Sequence, residues 1–232
     1  MKTLALKKHE DRRLREGHLW IYSNEVDTAK TPLKTLEAGE QVIIEDFAGK
    51  KLGIATASPN SLICARLINR DVKHPLDKSL IVYRLNQALS LRERFFDEPY
   101  YRLVYGDSDG LCGLVVDRFG DYCVVQTTTA GMEKVKDDIV QALVKVLNPT
   151  GILFKNDSKA RALEGLPPYI EVAYGDVPKL LPLVENGVKF LAPVHDGQKT
   201  GWFYYHRESR AQLQRVVKGK RVLDVFSYAG SW

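Results

Sequence analysis

Arg221-Val222-Leu223-Asp224-Val225-Phe226-Ser227-Tyr228-Ala229-Gly230 lies at the end of the sequence, and its reading decides the fold class. An apolar run that carries an acidic residue and passes into a small-residue loop is how an α/β cofactor-binding domain starts, because ligands sit beyond the carboxyl ends of parallel strands. A helical run over about 207–217 precedes it, joined through Lys218-Gly219-Lys220. The stretch therefore reads as helix, turn, strand and loop. It is not GxGxxG: Gly230 is its only glycine, so a dinucleotide pyrophosphate would lack close backbone approach, which counts against a nucleotide-dependent oxidoreductase. On these residues alone, a plain buried strand with a loop stays equally open.

Upstream, the two periodicities alternate. Asn186-Gly187 between Leu183–Glu185 and Val188–Leu191 reads as a type I′ hairpin, whose two turn positions need positive φ. A second hairpin is expected from Leu114–Arg118 and Tyr122–Thr127 about Gly120, followed by Met132, Val135, Ile139, Leu143 and Val146 at helical spacing. Ile81, Leu85, Ala88, Leu89 and Phe95 make one apolar helical face after a boundary at Asp71–Pro75. Before that boundary, strand-like runs at Gln41–Glu45, Lys51–Ala57 and Leu62–Ile68, with turn residues Asp46, Ala48 and Gly49, predict a small β-barrel.

Composition sets the outer limits. At 232 residues and 44% hydrophobic content the chain can bury a sizeable core. No run approaches the ~18 apolar residues of a membrane span, and the opening MKTLALKKHEDRR turns charged too early for a signal peptide, so a cytoplasmic location is expected. Cys64, Cys112 and Cys123 are odd in number without CxxC spacing, which argues against a disulfide framework and against a zinc site. With no nearby His or basic cluster to activate them, they read as buried structural thiols. A net charge of +5 favours a polyanionic partner without proving one.

Lys7, Lys8, Arg12, Arg13, Arg15 and His18 crowd the barrel's entry beside Trp20 and Tyr22, joining phosphate-seeking charge to surfaces on which an unpaired base can stack. Arg12, Arg15 and His18 are the candidate RNA contacts, with Arg66 as an extension of the patch; the bland reading is a solvated basic turn. Trp20 is expected in the barrel core. Lys199, in the Gly-flanked loop Gly197-Gln198-Lys199-Thr200-Gly201, can reach a ligand carboxylate or a phosphate, or be an ordinary loop lysine.

Four segments together resemble one family. Val222–Gly230 is similar to motif I of class I S-adenosylmethionine-dependent methyltransferases. Gly17-His18-Leu19-Trp20-Ile21-Tyr22-Ser23-Asn24-Glu25 resembles the opening of a PUA domain, and Gly106–Gly110 through Val116–Asp121 resembles the central domain of the ribosomal RNA large subunit methyltransferase I family. Gly197–Phe203 resembles that family's GQKTG segment, beside its cofactor site. The four occur in the family's order across nearly the whole chain.

The resemblance implies an α+β protein: a PUA-like RNA-binding barrel (1–74), a central α+β domain (75–194), and the first helix and strand of a Rossmann-like methyltransferase domain (195–232). It implies S-adenosylmethionine as cofactor, touched by Gln198, Lys199, Thr200, Gly201, Asp224, Phe226, Tyr228 and Gly230, and a cytosine C5 in 23S rRNA as target. That chemistry uses a thiolate that adds to C6 and makes C5 nucleophilic. The family's Asp-Pro-Pro segment and nucleophilic cysteine are expected beyond Trp232, so no catalytic residue is assigned here, and residues past about 207 are expected to pack poorly in this chain. Tyr205 stands where the family usually has Asp, and Cys112 where proline is common. Ribosomal RNA is the expected partner; neither membrane nor metal is expected, and a homodimer is left open. The alternative reading is a non-catalytic RNA-binding module.

Overall fold

The computed structural model describes residues 1–232. The first unit holds β1 (Lys2–Ala5), a one-turn helix α1 (Arg12–Arg15), β2 (Trp20–Tyr22), β3 (Gln41–Glu45), β4 (Lys51–Ala57) and β5 (Ile63–Asn69) in one sheet of order β1-β3-β4-β5-β2. The pair β1 and β3 is parallel and the others antiparallel. A bridge between Leu6 and Val26 ties the two outer strands together and closes the sheet into a barrel. Alternate residues Val42 and Ile44, with Leu4, Ile21, Ala55, Cys64 and Leu67, fill its interior. The β3–β4 turn forms as expected: Asp46 accepts the amides of Ala48 and Lys50, and Gly49 takes φ +83°.

The second unit is a sheet of order β10-β9-β8-β7-β6, built from β6 (Tyr100–Tyr105), β7 (Leu114–Phe119), β8 (Tyr122–Thr127), β9 (Gly151–Asn156) and β10 (Tyr169–Gly175). Strands β8 and β9 are parallel, and the crossover between them carries helices α3 (Ala130–Lys134) and α4 (Lys136–Leu147). With α2 (Lys78–Arg92), α4 covers one face, over Val116, Cys123, Val125, Ile152 and Phe154. The alternate residues Phe119, Val124 and Leu153 point to the other face. That face is covered by the hairpin of β11 (Leu180–Glu185) and β12 (Val188–Pro193) together with Trp202 and Tyr204. The hairpin turn has both expected positive φ angles, +52° at Asn186 and +78° at Gly187.

Two expectations fail here. Phe95 lies past the end of α2 and is 73% exposed, because the helix stops at Arg92 before its apolar period reaches that position. Residues 222–225 form no strand: Val222, Leu223 and Val225 are exposed, since no neighbouring strand is present to satisfy their backbone or cover their faces. Helix α5 (Arg207–Val217) does form, but Arg210 is its only buried residue, and the chain past about 207 packs poorly as expected.

The two units are locked together. Trp20, expected in the barrel core, instead lies at its surface and donates its indole N–H to Asp107 of the second unit at 2.7 Å. Arg66 pairs with the buried Glu164 at 2.9 Å, and the Arg84 guanidinium donates to the carbonyls of both Ile68 and Gly110. Gly131 of α3 sits so close to Thr56 of β4 that an added Cβ would lie 2.5 Å from the threonine Cβ. Substituting Gly131→Ala is therefore expected to lower stability by about 1–3 kcal/mol through overpacking, read as a lower urea midpoint in equilibrium unfolding; an unchanged midpoint would contradict the close contact.

Candidate nucleic-acid interface and cofactor wall

Residues 195–206 pack on the second unit, with Trp202 and Tyr204 joining its core. Trp202 is buried under the β11–β12 hairpin, 4.8 Å from the Phe190 ring, and its indole N–H donates to Glu185 at 3.0 Å. Arg210 of α5 donates to the other Glu185 oxygen at 2.6 Å and stacks its guanidinium 4.8 Å from the Trp202 ring. The Tyr204 hydroxyl donates to the Arg118 carbonyl at 2.8 Å, and burial pushes its pKa well above the ordinary tyrosine value. Thr200 is fully buried and its hydroxyl donates to Asp117 at 2.5 Å, while the Asp117 carboxylate also takes a two-pronged pair from Arg102 at 2.8 and 2.9 Å. Gly201, at φ +96°, packs against Pro193 and Val194.

These contacts divide the expected cofactor residues. Thr200 and Gly201 are consumed by the fold. Gln198 and Lys199 face solvent, and the Lys199 ammonium donates to the Tyr205 hydroxyl at 2.7 Å while lying 4.6 Å above that ring. Tyr205 therefore keeps a polar role at the position where the resemblance expects Asp. Tyr228 reaches back to this loop, its hydroxyl accepting the Gln198 amide at 3.0 Å and its ring meeting Phe203 edge-on at 5.5 Å. Asp224 keeps one buried oxygen with no hydrogen-bond partner. Phe226 is fully exposed at φ +63° and walls nothing, and Gly230 has open space about its Cα.

The basic entry to the barrel is largely self-neutralised. Arg15 is bound to Asp11 at 2.5 Å and Asp46 at 2.8 Å, and Arg13 to the buried Glu25 at 2.8 Å. His18 turns inward, its Nδ1 accepting the Trp20 amide at 3.1 Å. Arg12 is 84% exposed and paired only with Glu16, itself 61% exposed, a contact worth little in water. Arg12, with the exposed Lys8, is thus the cation of this surface that a phosphate can take; Arg66, held by Glu164 and Ser58, is not. Nothing local in the sequence pairs Asp107 with Trp20, Asp117 with Thr200 or Glu164 with Arg66, each contact joining positions more than 80 apart.

All three thiols are buried, and burial pushes those of Cys64 and Cys123 up to about 12 and that of Cys112 higher still. None is an activated nucleophile.

Residues 4–70 match the model of the PUA-like domain. The barrel is a PUA-like domain. Over 99% of its length the chain is 37% identical to ribosomal RNA large subunit methyltransferase I of Aliivibrio fischeri and 36% identical to that of Vibrio cholerae. It spans 58% of the length of each of these relatives. Among solved structures, a Streptococcus mutans protein named for SAM-dependent methyltransferase activity superposes with a TM-score of 0.76 at 22% identity, over 92% of this chain and 54% of that one. A second solved protein, named for methyltransferase activity and complexed with SAH, gives the same score and identity over 92% of this chain and 53% of that one. The likeness to the two structures shows a shared fold.

Two predictions separate the embedded loop from the exposed tail. Trp202→Ala is expected to cost about 3–5 kcal/mol by urea unfolding, whereas Phe226→Ala stays within about 0.5 kcal/mol; equal effects would contradict this division. Because the thiolate forms are suppressed by burial, an aromatic disulfide reagent at pH 8 is expected to label no cysteine of the folded chain and all of them in denaturant. Rapid native labelling of any one would refute its placement.

Proposed function

We propose that this chain is the RNA-holding portion of an S-adenosylmethionine-dependent methyltransferase acting on cytosine C5 of 23S rRNA, working with RNA in the cytoplasm. The observation that carries the reading is the collinear similarity to ribosomal RNA large subunit methyltransferase I over 99% of the chain. A PUA-like barrel fixed rigidly to the central unit supports it, because a rigid pair of docking surfaces orients RNA with little entropy loss on binding.

The donor set supports the cofactor as well. Gln198, Lys199, Asp224 and Tyr228 are the residues that would flank it, and the unpartnered buried oxygen of Asp224 is an acceptor suited to a ligand hydroxyl or amine. When bound, S-adenosylmethionine supplies a methyl group on a positively charged sulfur. Within these 232 residues the flanking set is open on the side of Val222–Phe226, so these residues orient one edge of the ligand and do not enclose it. That exposure favours, as a second reading for this length of chain, RNA binding without turnover.

Fluorescence anisotropy with a 23S rRNA fragment across a salt series tests the RNA part. Affinity should fall as salt rises, and Arg12→Ala should reduce the slope of log K against log salt by about one. Arg66→Ala should leave the slope unchanged. Absence of RNA binding would overturn the proposal. Calorimetric titration with S-adenosylmethionine should give only weak, unsaturated heats, and tight saturable binding would exclude the binding-only reading.

A further inference from the structure

The outer edge of β6 borders a cavity of about 350 Å³, within the size range of small-ligand sites. Its walls come from three separated stretches: the end of α2, the strand β6, and residues 204–208. Two tyrosines at its mouth are unusually open, Tyr105 at 55% and Tyr205 at 49% exposure. Deeper in, Phe96 stacks on Tyr101 with ring centres 5.3 Å apart. Guanidinium groups complete the lining, with Arg207 lying 4.5 Å over Phe96 and Arg102 lying 5.3 Å over Tyr105.

The arginines are held in place from behind. Arg102 is gripped by Asp117, and Arg92 makes a two-pronged pair with Asp109 at 2.9 and 2.7 Å. Their charges are compensated, so the cavity offers flat π faces and guanidinium planes more than net positive charge. A phosphate gains little from such a lining, whereas the face of a nucleobase gains stacking on the exposed rings of Tyr105 and Tyr205 at the mouth. Edge recognition is also provided for. The exposed Glu208 carboxylate at the rim is an acceptor for a base amine, while the Arg207 Nε–H is buried toward Glu185, 3.6 Å away, and anchors that side chain from behind.

An added peptide strand is the obvious rival occupant of a sheet edge, and the geometry disfavours it. The Arg92 Nε donates to the Arg102 carbonyl at 3.1 Å, Asp109 accepts the Tyr105 amide at 2.6 Å, and Arg207 donates to the Tyr100 carbonyl. With its outward groups taken by side chains, β6 has no free ladder to extend.

We propose that this cleft binds an unpaired base of the RNA, stacked between Tyr105 and Tyr205. The inference rests on the RNA-binding reading above and adds to it a single-stranded specificity seated on the central unit, away from the PUA-like barrel. The Tyr205 position, where the family resemblance expects Asp, makes this a property of the present chain.

The test uses the whole chain and a short single-stranded oligoribonucleotide carrying one 2-aminopurine, with a duplex of the same sequence alongside. Stacking should quench the 2-aminopurine on binding. Tyr105→Ala and Tyr205→Ala should each weaken single-strand binding roughly ten-fold and abolish the quench, while Tyr105→Phe and Tyr205→Phe retain both. Duplex binding and the salt slope should not change. Should an alanine variant fail to fold, photocrosslinking of an iodouridine oligonucleotide to the unmodified chain decides instead: adducts at Tyr105 or Tyr205 support the pocket, and adducts confined to residues 7–15 overturn it. Intact RNA affinity with no effect of either alanine variant overturns the pocket and leaves the RNA-binding reading standing. No RNA affinity in the unmodified chain overturns both.

Discussion

Glu185 sits buried on β11, its two oxygens accepting from the Trp202 indole and the Arg210 guanidinium. A carboxylate can be kept out of water only when such donors surround it, and removing either leaves a costly uncompensated charge. This constraint brings three distant stretches together: the β11–β12 hairpin, the loop that follows it, and the first turn of α5. With Trp202 fixed there, Thr200 falls against Asp117, the same carboxylate that grips Arg102, and the tyrosines 204 and 205 are set at the edge of β6. Both the cofactor-flanking loop and the aromatic cleft follow from the same anchor.

Much of this was legible from local sequence. The Asn186-Gly187 hairpin, the β7–β8 hairpin and the three long barrel strands appear where turn chemistry and alternation put them, because each is specified by neighbours in sequence. Strand β9 escaped because it is buried on both faces, and a continuous apolar run carries no period. Strands β1 and β2 are too short for a pattern to emerge. The run at 222–225 fails in the other direction: its composition suits a strand, but strand formation is a property of a sheet, and no partner lies within reach.

The candidate site was legible as a set of residue types and less so as an arrangement. Charge counting treats Arg12, Arg15, His18 and Arg66 alike, yet Arg15 and Arg66 are engaged by distant groups, Asp46 and Glu164, and His18 turns back onto the Trp20 amide. Trp20 was misplaced for a related reason. A lone tryptophan in a small barrel usually fills it, but here the barrel is already closed by aliphatic side chains and the indole becomes the hinge to Asp107. Conversely, Tyr105 and Arg207 carry no motif, and only their convergence from β6 and α5 gives them meaning.

The central claim is that residues 1–206 form one packed body, with the loop 195–206 belonging to it and residues 218–223 lying outside. Amide hydrogen exchange followed by mass spectrometry tests this most directly, because protection reports the free energy of local opening. The account predicts that the amides of Gly201–Tyr204 are protected together with β7 and β8, that barrel and central unit share their slowest-exchanging class, and that 218–223 exchange at once. Exchange of Gly201–Tyr204 as fast as that of 218–223 would contradict it.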